Sequence, residues 1–296
     1  MRLHLHGVRG STPAPGAEFV RVGGDTSCVA VTTGADLPTI VLDAGTGLRK
    51  LTEQLRGEPF RGTLLLTHLH WDHTQGLPFF AAGDRSDARV DVVVPAQHPG
   101  ETAESAAELM SRAMSPPHFP IGPDGLLGEW TWRYLDVGRS LIGETEVEAF
   151  EVPHKGGRTF GYRLEDVTGS AAYIPDHQSP RHGPDPSLVE CVRGVDVLLH
   201  DAQFFTEEID LARAYGHSTV DQAVDLAIAA EVGQLVLFHH GPGRTDDDVD
   251  RIEASAAAAA SAAGSPLAVI TAREGTVIDP ATATVRSWSN RTSANL

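Results

Sequence analysis

Short alternating or wholly apolar runs, separated by glycine-rich turns, fill the first third of the chain and give it a strand pattern. Strands are predicted at Leu3–His6, Cys28–Thr32, Thr39–Leu42 and Thr63–Thr67, the last an apolar run typical of a buried strand. The joints Gly7-Val8-Arg9-Gly10-Ser11-Thr12-Pro13, Gly23-Gly24-Asp25-Thr26 and Asp43-Ala44-Gly45-Thr46-Gly47 are dense in residues that permit unusual backbone angles. A helix is expected at Leu48–Leu55 and a strand at Val90–Val94. Residues Glu101–Met114 read as an amphipathic helix, ended by Ser115-Pro116-Pro117-His118-Phe119-Pro120. Strands resume at Thr131–Leu135, Glu146–Val152, Thr159–Leu164, Ala171–Ile174 and Val195–Leu199. A helix over Ser218–Glu231 feeds a strand at Gln234–Phe238, and Ala254–Ala263 reads as helix behind the acidic run Asp246–Asp248, which suits a helix N-terminus. Strands at Leu267–Thr271 and Thr276–Ile278 close the pattern. Two strand-rich halves, each with helices and with no repeat or linker between them, predict one α/β domain over residues 1–296. Two sheets would pack face to face with helices outside.

Composition sharpens this. Of 296 residues 41% are hydrophobic and 21% charged, enough apolar material for a full core, so disordered and collagen-like classes are excluded. Lys and Arg total 23 against 40 Asp and Glu, a net charge of −17. Such a surface repels phosphate backbones and anionic lipid, so no extensive nucleic-acid or membrane surface is expected, whereas a local metal site is compatible with it. Two cysteines, Cys28 and Cys191, are too few for a disulfide framework and suit a reducing cytoplasm. No run approaches the roughly 18 apolar residues that span a bilayer, and the alternating Met1–Gly7 lacks the apolar block of a signal peptide. A soluble cytoplasmic protein is expected.

The chemistry concentrates in Thr67-His68-Leu69-His70-Trp71-Asp72-His73, directly after a buried strand, where ligands of layered α/β folds gather. In extended chain His68 and His70 point to one side. A turn into helix brings Asp72 and His73 to the same cavity. Imidazole with carboxylate suits zinc, iron or manganese, while calcium prefers oxygen alone.

His-x-His-x-Asp-His after a strand resembles the signature of the metallo-β-lactamase superfamily, an αββα four-layer sandwich with a dinuclear metal site between its sheets. The resemblance spans roughly residues 3 to 280. It implies that Asp43, in Leu42-Asp43-Ala44-Gly45, braces the metal loop, and that His154, in Val152-Pro153-His154, is the next ligand. Asp176, after Tyr173-Ile174-Pro175, matches the bridging aspartate. His239 matches the last ligand, at the end of its strand, with His240 as the alternative. One divalent transition-metal ion would then sit on His68, His70 and His154, and a second on Asp72, His73 and His239, with Asp176 shared. Zinc leads, with manganese and iron the other choices.

Downstream, His200-Asp201-Ala202-Gln203-Phe204-Phe205 and Gly216-His217-Ser218-Thr219 resemble two loops of ribonuclease Z. That resemblance makes His217 the group that stabilises charge or protonates the leaving oxygen, with Asp201 holding it and Asp72 orienting the nucleophile. Asp201 is one methylene shorter than the family's glutamate. The plainer reading makes Ser218 the cap of the following helix and His217 a bystander.

Several further motifs are similar to a cyclic-nucleotide-phosphodiesterase-like subgroup: Gly7-Val8-Arg9-Gly10-Ser11, Gly23-Gly24-Asp25-Thr26-Ser27-Cys28 and His70-Trp71-Asp72-His73 with Gly76-Leu77-Pro78-Phe79-Phe80. The interval between His154 and Asp176 has room for two strands but not for a basic RNA-gripping arm. The expected function is therefore hydrolysis of a small or cyclic phosphodiester by water activated between two metals. The alternatives are a ribonuclease Z-like RNA endonuclease, a thioester or lactone hydrolase, and a metal-stabilised scaffold without catalysis. Residues 100–130 read either as a lid over the site, with His118 or Phe119 on the substrate, or as plain packing. Arg9 either faces the site from the first glycine-rich loop or serves the tight turn without a function at the site. A homodimer is expected from the resemblance alone.

Overall fold

Strand alternation decides what each face of a sheet buries. The computed structural model describes residues 1–34, 37–98, 101 and 103–287. Among them, one sheet is built from β1 (Arg2–Gly7), β2 (Cys28–Thr32), β3 (Ile40–Leu42), β4 (Arg61–Leu65), β5 (Arg89–Pro95) and β6 (Glu129–Leu135). The second holds β7 (Gly138–Ile142), β8 (Thr145–Val152), β9 (Thr159–Asp166), β10 (Gly169–Ile174), β11 (Val197–Asp201), β12 (Gln234–Phe238) and β13 (Ala268–Thr271). The chain then returns to the first sheet as β14 (Thr276–Asp279) and β15 (Thr284–Ser287). The orders are β15-β14-β1-β2-β3-β4-β5-β6 and β13-β12-β11-β10-β9-β8-β7. Strands β3 to β6 run parallel, as do β10 to β13, and the remaining neighbours are antiparallel.

Leu3, Leu5, Val31, Leu42 and Val93 of the first sheet pack in one cluster with Phe160, Tyr162, Tyr173, Leu199, Val236 and Phe238 of the second. Their neighbours along each strand face outward. Val41, Leu64 and Val92 meet α1 (Leu48–Gln54) and α3 (Ala103–Ser111), while α2 (Trp71–Thr74) lies at the strand ends between them in sequence. Ala172, Ile174, Leu198 and Leu237 meet α4 (Pro186–Val192), α6 (Val220–Ala229) and α7 (Asp246–Ala262), with α5 (Ile209–Tyr215) leading into α6. Helices thus cover the outer face of both sheets, the four-layer α/β sandwich the pattern predicts.

The deviations have local causes. Strand β4 stops at Leu65, two residues early, because the Thr67 N–H is taken by the Asp43 carboxylate at 2.7 Å rather than by the ladder. Helix α3 ends at Ser111, short of Met114, where the Ser115 hydroxyl donates to the Ser111 carbonyl and Pro116 follows. Helix α6 is capped at Thr219, whose N–H donates to Gln222 Oε1 at 3.1 Å; Ser218 is not the cap and gives its hydroxyl to the His177 carbonyl at 2.6 Å. Helix α7 starts at Asp246, because Thr245 accepts from the Asp248 N–H at 3.2 Å. Helices α4 and α5 and strands β7 and β15 are short elements that the periodicity did not separate from loop.

Tyr162, fully buried in β9, donates its hydroxyl to the Leu66 carbonyl at 2.6 Å, tying the second sheet to the segment just past β4. Tyr162→Phe should lower stability by about 1–3 kcal/mol by stranding that carbonyl, and Phe238→Ala by about 3–5 kcal/mol by leaving a cavity between the sheets. Urea denaturation checks both; a Phe238→Ala loss below about 1 kcal/mol would contradict the inter-sheet core.

Candidate metal centre

Each site residue sits where a strand ends and the ladder no longer needs its side chain. His68 to His73 follow β4 and enter α2; Asp43 follows β3; His154, Asp176 and His239 follow β8, β10 and β12; Asp201 ends β11. The donor atoms of His68, His70 and His154 lie within 4.8 Å of one another, as do those of Asp72, His73 and His239. Asp176 stands between the two groups, with Oδ2 at 3.0 Å from His73 Nε2 and 3.2 Å from His239 Nε2, and Oδ1 at 3.6 Å from His154 Nε2. The structure therefore brings together all seven of the residues expected to hold metal. His240 turns away, with Nε2 accepting no site contact and donating to the Ala272 carbonyl at 2.9 Å.

The hydrogen bonds orient the imidazoles. His73 Nδ1–H donates to Asp43 at 2.7 Å, His154 Nδ1–H to the Gly216 carbonyl at 2.6 Å and His239 Nδ1–H to Gln203 Oε1 at 3.0 Å. The Thr67 hydroxyl donates to Asp43, so its oxygen accepts from His68 Nδ1–H at 3.1 Å. Every one of these rings then presents an Nε2 lone pair inward. His70 differs: its Nδ1 is the inward atom, 2.9 Å from His68 Nε2 and 3.4 Å from His154 Nε2. Imidazole nitrogen and carboxylate oxygen at 3.0–3.2 Å are held together by a shared cation, a proton or a metal ion. In keeping with that, His73 Nε2 and Asp176 Oδ2 are buried without a hydrogen-bond partner. The donor set, nitrogen with carboxylate oxygen, fits divalent transition metals.

Burial disfavours charge on His68 and pushes it well below the usual histidine range, helped by His73. His73 is also buried, yet Asp72, Asp43 and Asp176 together hold it well above that range, a measure of how much negative charge surrounds it. The network holding the centre was only partly visible in sequence. Asp43 was; Thr67, Tyr173, which donates to Asp43 at 3.0 Å, Gln203 and the Gly216 carbonyl were not. Arg9 is a correction. It is wholly buried and donates to the Gly23 and Arg244 carbonyls at 2.7 and 2.6 Å, so it staples loops together and does not face the cleft.

Beside the centre, His217 Nδ1–H donates to Asp201 Oδ2 at 2.8 Å. Asp201 also receives the N–H groups of His177, Gln203 and Ser218 at 3.1, 3.1 and 3.3 Å. His217 stacks on His239, ring centres 5.1 Å apart, and lines an open cleft of about 380 Å³ with Ser11, His70, Trp71, Asp72 and Asp176.

A family model described as a β-lactamase superfamily domain matches residues 39–240. The chain belongs to that superfamily. Ribonuclease Z of Pyrobaculum arsenaticum is 31% identical over 238 residues, which cover 70% of this chain and 78% of that protein. Ribonuclease Z of Bacteroides thetaiotaomicron is 25% identical over 260 residues, 73% and 80% of the two chains. Among solved structures, the metallo-β-lactamase fold protein YhfI of Bacillus subtilis superposes with a TM-score of 0.67 at 17% identity, covering 93% and 98% of the chains. Human short-form tRNase Z gives 0.61 at 19% identity over 94% and 98%, and a diphosphatase of the PhnP family 0.63 at 18% over 94% and 96%. Those likenesses show the shared fold. Membership in the β-lactamase superfamily makes the chain a metal-dependent hydrolase, with divalent metal ions as its cofactors. Among the described residues, no helix is long and apolar enough to cross a membrane.

Gly10 has no room for a side chain, since a Cβ there would lie 2.2–2.7 Å from the His239 ring. Gly10→Ala should displace His239 and lower the amount of zinc retained per chain after dialysis, with the fold intact by circular dichroism. Full retention would show that His239 is not needed to hold metal.

Proposed function

We propose that this chain hydrolyses small or cyclic phosphodiesters, with two divalent ions held as the sequence suggested: His68, His70 and His154 around one, Asp72, His73 and His239 around the other, and Asp176 shared. The nitrogen-rich donor set favours zinc, with manganese and iron as substitutes. The observation that carries the reaction class is the His217–Asp201 pair set against the cleft beside a complete donor set. Relatives named ribonuclease Z support phosphorus–oxygen chemistry.

Bound divalent ions supply positive charge to a phosphoryl oxygen and bring the pKa of a bound water close to neutrality. Asp72, held by the Ser11 N–H at 2.6 Å, lines the cleft where it can accept a proton from the attacking water or aim it. His217, with Nδ1 given to Asp201, has Nε2 left to protonate the departing alkoxide. Burial works against charge on His217, but Asp201, followed by Asp176 and Asp72, holds it up at about 9; nearby cations draw it down from there. It thus carries its proton at low pH and loses it as pH rises.

Three features favour a small substrate over transfer RNA. No Lys or Arg is among the described residues lining the cleft. Only β9 and β10 lie between His154 and Asp176. The net charge of −17 repels a long polyanion. We place the protein in the cytoplasm, where both cysteines stay reduced, and they are free thiols here.

Zinc- or manganese-loaded protein should turn over bis(p-nitrophenyl) phosphate and a cyclic nucleotide, and chelation followed by zinc should abolish and restore the rate. Asp72→Ala is the inactive control. Exclusive cleavage of a precursor transfer RNA would give the endonuclease reading instead, and exclusive turnover of a thioester would move the chemistry to carbon.

His217→Ala should cut kcat by about 10²–10⁴-fold with bound metal unchanged. The wild-type rate should fall on the alkaline side as His217 deprotonates, and that fall should be missing from the variant. An equal alkaline fall in both would remove His217 from the proton transfer.

A further inference from the structure

Beside the catalytic cleft lies a second concavity of about 540 Å³, and Trp71 lines both. Trp71 lies between His70 and Asp72, whose side chains face the cleft, and is itself 75% exposed. Phe79, one turn beyond α2, is 59% exposed and meets Phe119 edge to face at 5.8 Å. Met110 and Met114, both buried, form the floor. Large aromatics left in water beside a reaction cleft lose burial free energy unless something covers them. The rim is polar: Gln75, Arg112 and His118 line it too, and Arg112 is the one formal charge among the described lining residues.

We infer that this groove binds the nucleobase of a small nucleotide substrate, placing a flat heteroaromatic ring against Trp71, Phe79 and Phe119 while its phosphate enters the metal cleft. Trp71, shared by the two cavities, places the groove directly beside the cleft that would take the phosphate. The volume suits a single base with its sugar, being within the range of small-ligand sites and too small for a helix or a folded partner. Aromatic faces serve any base by stacking, and rim groups that donate and accept hydrogen bonds match the edge of a heterocycle, which a hydrocarbon chain would leave unpaired. Residues 112–119 are then a substrate-binding wall, not plain packing. The position of the phosphate rests on the phosphodiesterase reading, but binding can be measured without turnover.

The test uses the zinc-loaded full chain and compares AMP, ribose 5-phosphate and octyl phosphate as ligands, followed by tryptophan fluorescence. AMP should bind at least about tenfold more tightly than ribose 5-phosphate, within what stacking of one base provides. Phe79→Ala and Phe119→Ala should remove most of that advantage while leaving ribose 5-phosphate affinity and bound metal unchanged; Phe79 is exposed enough for its loss to spare the fold. Equal affinities for AMP and ribose 5-phosphate would overturn the inference. So would octyl phosphate binding more tightly than AMP, since that assigns the groove to an aliphatic chain. Hydrolysis of bis(p-nitrophenyl) phosphate is measured in parallel: an AMP preference without hydrolysis upholds the base site and removes the phosphodiesterase reading, and hydrolysis without the preference does the reverse.

Discussion

Four buried carboxylates within one small region are the constraint on which the centre depends. Asp43, Asp72, Asp176 and Asp201 are all at most 5% exposed, and isolated charges there would cost several kcal/mol each. The protein treats them in two ways. Asp43 takes hydrogen bonds from the Thr67 N–H and hydroxyl, the Tyr173 hydroxyl and His73; Asp201 takes them from three backbone N–H groups and His217. These two are neutralised by protein donors and act as braces. Asp72, with one bond from the Ser11 N–H, and Asp176 instead face imidazole nitrogens, and among the described residues no Lys or Arg lines their cleft. Divalent ions held between them and the imidazoles would complete their compensation. The contrast between the two pairs separates scaffold from site more sharply than any single distance.

Holding lone pairs toward one another requires backbone that would relax if it were free. Ser11, Asp43 and His239 adopt φ of 65°, 58° and 60°, the left-handed region that side-chain-bearing residues seldom occupy, at a cost of order 1–3 kcal/mol each. All three touch the site, and each lies just beyond a strand of the sandwich. Cross-links from the first loop to the end of β12, namely Gly10 N–H to the His240 carbonyl and His240 N–H to the Val8 carbonyl, both at 3.0 Å, lock Ser11 and His239 in place. The inter-sheet core thus stabilises a conformation the loops would not choose. Arg9 belongs to the same device, because its buried guanidinium bonds loop carbonyls from two distant segments.

Much of this was legible because it is written in strand pattern and residue type. The apolar runs located the strands, and the strand ends located His68–His73, His154, Asp176 and His239, since a sheet leaves its functional side chains where the ladder stops. Choosing between His239 and His240 from sequence needed the family's pattern; in the structure the strand's alternation carries Phe238 into the core and the left-handed turn at His239 swings its ring into the cleft. Less legible was whatever depends on the far side of a contact. Nothing in the type of Gln203 or Gly216 distinguishes them from other polar or turn residues; they matter because another chain segment passes at hydrogen-bond distance. Arg9 misled for the same reason, as a cation in a glycine loop suggests an anion site until the carbonyls that occupy it are known. Ser218 misled because hydroxyls next to a helix start compete for capping, and the deeper one was claimed by His177.

The acidity of the molecule and its expected anionic substrate are reconciled by distance. Screening at physiological ionic strength confines a charge's influence to about 8 Å, so an exposed carboxylate on the outer helices is not felt deep in the cleft. A ligand short enough to fit between the metal centre and the Trp71 groove responds to the local field, where bound cations are the largest charges. A polymer long enough to leave the cleft meets the net negative charge of the rest of the molecule. On the proposed function, the same −17 that looks adverse to phosphate binding would disfavour a long polyanion more than a ligand confined to the site.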